Sequence, residues 1–280
     1  IRRRSVENII SELKKAINGN QEIEYVNFQD DCFLACNSQY LKNFCEIYSE
    51  EIGKPFIIRS IPVYITDDKI KTLKSAGISW ISIGLQSGSD RVNQDVYQRK
   101  SLKGDFLKAA NIIKDFNIAA FYDVILDNPF ENEEDKLETI KVLMETPKPF
   151  YTQFFSLSLF LGTGLYDKAS RECPEKIEDS FKKDYLLYDK NALNDMIRIS
   201  TFIDKKHMEK IMRLYQENAA GLKFKFVLSL VKFLSYIILE PFTYFRTIKL
   251  SQRGSYIKTL EVLPNYFFEG IKRYLLPFKS

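Results

Sequence analysis

Five short apolar runs divide the first 165 residues, each ending on small, polar or turn-forming residues before a helical stripe begins. They are Ile23 to Phe28, Phe56 to Ser60, residues 78–85, Ile118 to Leu126 and Thr152 to Phe160. Between them, apolar residues recur at helical spacing: Leu41, Phe44, Cys45, Tyr48 and Ile52, then Phe106, Leu107, Ala110 and Ile113, then Leu137, Ile140 and Met144. A first stripe, Ile9, Ile10, Leu13, Ala16 and Ile17, stands behind Ser5 as a plausible N-cap. Strands separated by helices cannot pair as hairpins, so the pattern predicts a parallel sheet, open or closed as a barrel.

The run Trp80 to Ser89 is the most informative of the five. Ile81, Ile83 and Leu85 alternate as a buried strand, which then ends in Gln86-Ser87-Gly88-Ser89. In parallel α/β folds ligands gather beyond the carboxyl ends of strands. Gly84 and Gly88 remove bulk there, while Gln86, Ser87 and Ser89 offer hydrogen bonds, so this strand reads as the floor for a polar ligand.

After about residue 170 the pattern changes, which predicts two regions: a βα core over 1–170 and a helical region over 171–280, amphipathic and basic-aromatic. The stretch 222–239 is rich in Phe, Leu, Val and Ile, but Lys223, Lys225 and Lys232 interrupt it, so no uncharged run is long enough to span a bilayer. It reads as a helix packed on the core, with an interfacial membrane helix as the other reading. From Pro241 onward aromatics mix with bases (Phe242, Tyr244, Phe245, Arg246, Tyr266, Phe267, Phe268, Lys272, Arg273), which suits a substrate mouth, a membrane surface or a partner.

A formal charge of +4 is too small to call for a nucleic-acid partner. The single histidine, His207, leaves no triad to assemble, and no G-x-G-x-x-G or P-loop run occurs. Four cysteines in 280 residues suggest no disulfide framework, so a reducing cytoplasm is the expected location, with peripheral membrane contact through 222–280 left open.

"GLQSGSDRVNQDVYQRK", "ILDNPFENEEDKLETI" and "SLFLGTGLYDKA" follow one another in the order of three stations of the radical S-adenosylmethionine (SAM) enzymes, which they resemble. "DDCF" after the first run resembles that family's D-D-x-F, and the likeness covers about residues 1–170. The order of residues is most similar to the branch carrying an N-terminal cobalamin-binding domain. The resemblance implies a partial (βα)6 barrel of TIM type, here without its first strand, that holds SAM beside a 4Fe–4S cluster. It implies generation of a 5′-deoxyadenosyl radical for hydrogen abstraction, with methyl transfer, ring formation or rearrangement as outcomes. It further implies a small-molecule or lipid-like substrate, an electron donor such as ferredoxin or flavodoxin, and cobalamin as a further cofactor to look for in a longer parent.

Carried over position by position, Gln86 matches a residue contacting the SAM ribose or amino-acid portion, and Ser87 and Gly88 share its turn. Arg99 matches a base that pairs with the SAM carboxylate, as suits a forked donor. Arg59 points to the same mouth. Asn128 and Pro129, with Leu161 to Gly164, match backbone turns around the adenine. Asp30 and Asp31 are candidates for contact with substrate or SAM. The family's cluster loop, C-x-x-x-C-x-x-C, is not matched: Cys32 and Cys36 have the first spacing, but position 39 is Gln39. These thiols and Cys45 therefore read as non-ligands, no metal ligand is assigned, and the cluster cysteines are expected upstream of Ile1. The alternative is a cluster-free barrel serving as a binding or scaffold module.

Overall fold

The computed structural model describes residues 3–20, 22–182 and 184–251. Tyr266, Phe267, Phe268, Lys272 and Arg273 lie outside the described residues. Five strands form one parallel sheet in sequential order: β1 Val26–Asn27, β2 Phe56–Ser60, β3 Ile78–Gln86, β4 Ala119–Leu126 and β5 Tyr151–Ser156. The sheet curls into a half-barrel with helices outside it. α1 Val6–Gly19 precedes β1, and α2 Ser38–Glu51, α3 Asp67–Ser75, α4 Lys103–Asp115 and α5 Glu133–Glu145 follow the first four strands in turn.

The two faces of the sheet differ as the alternation requires. Ile58, Ile81, Ile83, Leu85, Tyr122, Val124, Leu126 and Phe154 point outward and are buried. Opposite them, Arg59, Trp80, Ser82, Phe121, Asp123 and Tyr151 line the concave face. Ser82 pairs in register with Arg59 and with Phe121 of its two neighbours. At the amino end of that face Trp80 stacks on Phe121 at 4.4 Å, and Phe121 meets Tyr151 edge-on at 5.6 Å. The barrel floor is thus aromatic, and the polar residues sit nearer the carboxyl ends.

Two strands are shorter than the sequence predicts. Only Val26 and Asn27 of the first run pair, because β1 is the sheet edge and has β2 alone to bond. The last run stops at Ser156 instead of Phe160. Its register with β4 ends at Leu126, whose carbonyl accepts from Leu157 N at 2.9 Å, and the chain then turns away. The segment after Ser89 begins as a π-helical turn, Val92–Val96.

The C-terminal region is helical: α6 Gly164–Glu172, α7 Glu175–Lys182, α8 Ala192–Ser200, α9 Lys205–Asn218, α10 Leu222–Leu234, a π turn Ser235–Leu239 and α11 Glu240–Leu250. α8 packs on α5, and α10 rests chiefly on α8 and α9. It is α11, not α10, that meets the barrel: Tyr244 packs edge-on against Tyr151 at 5.6 Å, and Tyr151 donates to Glu240 at 3.4 Å. Arg198 of α8 binds Glu240 at 2.5 Å, both side chains buried, with the Tyr236 ring 4.5 Å from the guanidinium. Backbone bonding also occupies the β5 edge, where Ser156 N donates to Tyr185 O at 2.7 Å. Among the described residues no helix is long and apolar enough to cross a membrane.

Candidate functional site at the strand tips

The carboxyl end of β3 departs from regular strand geometry. Gln86 has φ +63°, in the left-handed region that side-chain-bearing residues seldom occupy, and the β3–β4 register shifts between Gly84 and Gln86. Its side chain folds back over Gly84: a Cβ built on Gly84 would stand 2.1 Å from Gln86 Nε2 and 3.5 Å from Arg99 Nη1. Gly84 therefore makes room for a glutamine amide and a guanidinium. Arg99 Nη2 donates to the Gly84 carbonyl at 3.1 Å, while Nη1 is buried without a hydrogen-bond partner. Burial lowers the pKa of Arg99 from its ordinary value, against the pull of Tyr97 and Asp123.

Asp123 of β4, one strand over, completes this cluster, and the sequence reading missed it. Ser82 Oγ donates to its Oδ2 at 3.4 Å, and its Oδ1 is buried without a partner. Burial pushes its carboxyl up to about 6, opposed by nearby Arg59, the Ser82 bond and Arg99. A carboxylate inside the apolar run Tyr122-Asp123-Val124 was the available signal, since a buried acid is costly unless something engages it.

The rest of the turn is a brace. Ser87 is fully buried and donates to Glu131 at 2.7 Å; Gly88 N donates to Thr139 Oγ1 at 2.8 Å. Ser89 donates to Asp135 at 2.6 Å, and Arg91 pairs with the same carboxylate. Burial would raise the Asp135 pKa, but the bonds from Arg91 and Ser89 hold it below the usual range. At Gly88 the space a side chain would take is filled by α5: a Cβ there would stand 2.4 Å from the Thr139 Cα. Glu131 was also missed, although it is the acid of the "NPFE" turn. Its pKa is pushed up to about 7 by burial, with Ser87's hydrogen bond opposing.

The remaining expected residues are placed unequally. Asn128 is buried, donates to Tyr97 OH at 3.1 Å and accepts from Phe130 N at 2.9 Å; Pro129 follows it in the turn after β4. Just before it Asp127, at φ +57°, accepts from Ser156 Oγ, Asp189 N and Asn194 Nδ2, all within 2.8–2.9 Å. Arg59 is exposed on the concave face. Asp30 and Asp31 are exposed in the loop after β1, seven residues short of α2, which Asn37 caps. Leu161 is 77% exposed, and Gly164 opens α6 with free space around it, so neither is drawn into the Gln86–Arg99–Asp123 cluster.

Cys32, Cys36 and Cys45 lie near enough to act on one another electrostatically, but only Cys32 and Cys36 are partly exposed. Cys45 is buried in the core, Cys32 Sγ lies 3.4 Å from Ser60 Oγ, and desolvation raises the Cys36 pKa. Among the described residues, no group of three or more His, Cys, Asp or Glu could hold a metal ion. His207 lies at the start of α9, its Nδ1 2.6 Å from Asp204, away from the strand tips.

A curled parallel half-barrel with a strained glutamine, a half-buried arginine and a half-buried aspartate at its strand tips defines a class of βα-barrel with a polar mouth. The chain belongs to the Radical SAM superfamily, whose sequence profile matches residues 1–143. That superfamily uses SAM and a 4Fe–4S cluster, and its members related to this chain are enzymes. A tRNA-2-methylthio-N(6)-dimethylallyladenosine synthase of Clostridium tetani (strain Massachusetts / E88) is 27% identical over 230 residues, 77% of this chain and 48% of that protein. A synthase of the same description from Sulfurihydrogenibium sp. (strain YO3AOP1) is 31% identical over 134 residues, 46% of this chain and 27% of that protein. The chain thus spans half or less of the curated relatives it matches. Among solved structures, the radical S-adenosylmethionine methyltransferase TsrM from Kitasatospora setae shares the fold, with a TM-score of 0.52 and 14% identity over 61% of this chain and 34% of its own. It has been solved with tryptophan and a SAM analogue, and with cobalamin and a [4Fe-4S] cluster.

Proposed function

We propose that the described barrel is the SAM-holding part of a radical SAM enzyme, with the ligand gripped by Arg99, Asp123 and Gln86. One observation carries this: two buried polar atoms, Arg99 Nη1 and Asp123 Oδ1, stand at the mouth with no protein partner. A guanidinium N–H requires an acceptor and a carboxylate oxygen requires a donor, and leaving both unmet in a buried site is costly. The amino-acid end of SAM, with a carboxylate and an ammonium group, offers both. The Gln86 amide is the third contact, Arg59 the outer positive charge, and Asp30 and Asp31 the rim. Asn128, Pro129, Leu161 and Gly164 are the adenine-side backbone. When reduced by a 4Fe–4S cluster, SAM supplies a carbon radical able to take hydrogen from an unreactive position.

The protein's own residues orient the sulfonium, withhold water and set charge at the mouth. The described residues do not fit the cluster: Cys32 and Cys36 lack a third thiol, and Cys45 faces the core. The proposal therefore places its three thiolates outside this sequence. Anaerobic iron and sulfide reconstitution of the 280 residues is expected to give no stoichiometric 4Fe–4S absorbance. SAM binding by equilibrium dialysis is the direct test, and equal affinity in the chain and its Arg99→Ala variant would remove Arg99 from the site.

Methyl transfer on a small or lipid-like molecule, with cobalamin in a longer parent, is the reading favoured by the order of motifs. A second reading, modification of an RNA base, is favoured by the tRNA-named relatives. Filter binding of unmodified tRNA at about 0.15 M salt separates the two, since phosphate contacts weaken steeply as salt rises.

A further inference from the structure

We propose that the outer face of α10 is a docking surface for an anionic lipid bilayer. Leu222, Phe226, Leu230 and Leu234 recur every fourth residue along that helix and are 87%, 69%, 47% and 39% exposed. A four-residue repeat sets these side chains in one ridge. The opposite side of the helix, carrying buried Phe224 and Leu228, is turned toward α8 and α9. The ridge is therefore not the seam that holds α10 to the protein, and large apolar side chains clustered in solvent mark an interaction surface.

Charge names the occupant. Lys223 and Lys225 are exposed and lie angularly on either side of the Leu222 end of the ridge. Arg246 and Lys249 are exposed on α11, the next helix. No acidic residue occurs from 222 to 239, and Glu240, the one acid between 222 and 251, is buried in its pair with Arg198. An apolar ridge with bases beside it and no exposed acid on α10 or α11 matches an interface-lying helix: the ridge enters the headgroup boundary and the lysines reach up to lipid phosphates. A protein partner with an apolar groove would require no such one-sided charge. The helix is too short and too charged to cross, so the contact is peripheral.

The test is flotation of the 280-residue chain with vesicles of phosphatidylcholine alone or mixed with phosphatidylglycerol. Binding is expected to the mixed vesicles, to weaken with salt, and to be slight on phosphatidylcholine. The Phe226→Glu/Leu230→Glu variant is expected to lose about tenfold or more in partition coefficient, because each exposed apolar side chain moved out of water stabilises binding. Lys223→Gln/Lys225→Gln is expected to lose the phosphatidylglycerol dependence. Circular dichroism and thermal melting keep the variants interpretable, since all four positions are exposed. Full binding by the Phe226→Glu/Leu230→Glu variant would put the contact elsewhere and overturn the proposal. So would absence of vesicle binding together with self-association that the same variant abolishes.

Discussion

At the scale of single residues, the site is a set of tensions that a ligand would relieve. Arg99 keeps one bond to a backbone carbonyl and leaves a second donor buried and unmet; Asp123 does the same with an acceptor. Arg99→Ala is expected to weaken SAM binding about tenfold or more, the usual loss for a charge-assisted bond. Arg99→Lys is expected to restore little, because an ammonium cannot hold the Gly84 carbonyl and a ligand carboxylate with one planar fork. The two glycines of the turn separate binding from folding. Gly84→Ala collides with the far end of Gln86, so it should impair SAM binding with little change in melting temperature. Gly88→Ala collides with the backbone of α5 and should cost about 1–3 kcal/mol by denaturant titration, with Gly164→Ala nearly neutral. Glu131 brings a pH signature. Its folded value, about 7, lies above the ordinary 4.5. The native state therefore holds a proton that the unfolded chain releases. Stability from this group is complete in acid below the unfolded value and is lost as pH climbs through the folded one. Glu131→Gln should therefore shrink the fall in melting temperature between about pH 5 and about pH 8. An undiminished fall would assign the dependence to Asp123 or elsewhere.

Elements show which parts of this arrangement could be read from the chain. β2 and α5 were legible because local rules suffice: alternation sets the strand's buried face, and the stripe Leu137, Ile140 and Met144 marks the helix. β1 was overcalled because pairing depends on a neighbour, and an edge strand has one. The Gln86–Gly88 turn was recognised as special, but its division of labour was hidden. Whether a missing side chain makes room for a ligand or for a helix depends on where α5 lands, which no spacing encodes. Asp123 escaped for a related reason: alternation separates two faces of β4, but only the curl of the whole sheet decides which one becomes the interior.

The whole molecule is tied together behind the site. Arg198 and Glu240 clamp the C-terminal helices against β5, and both are buried. Glu240→Ala is expected to cost about 3–5 kcal/mol in urea titration because it strands a buried guanidinium. The paired replacement Arg198→Met/Glu240→Leu should recover most of that loss, and failure to recover would show that the pair contributes through more than its own charges. Asp127 extends the same theme. Its carboxylate is a hub where the tips of β4 and β5, the loop at Asp189 and the first turn of α8 are fastened together. Hydrogen bonds between the βα core and the helical region therefore cross the boundary near residue 170. A shortened protein ending there would keep every residue proposed to grip the ligand but lose the Asp189 loop and Asn194 that anchor Asp127, so it is expected to melt at a lower temperature than the full chain.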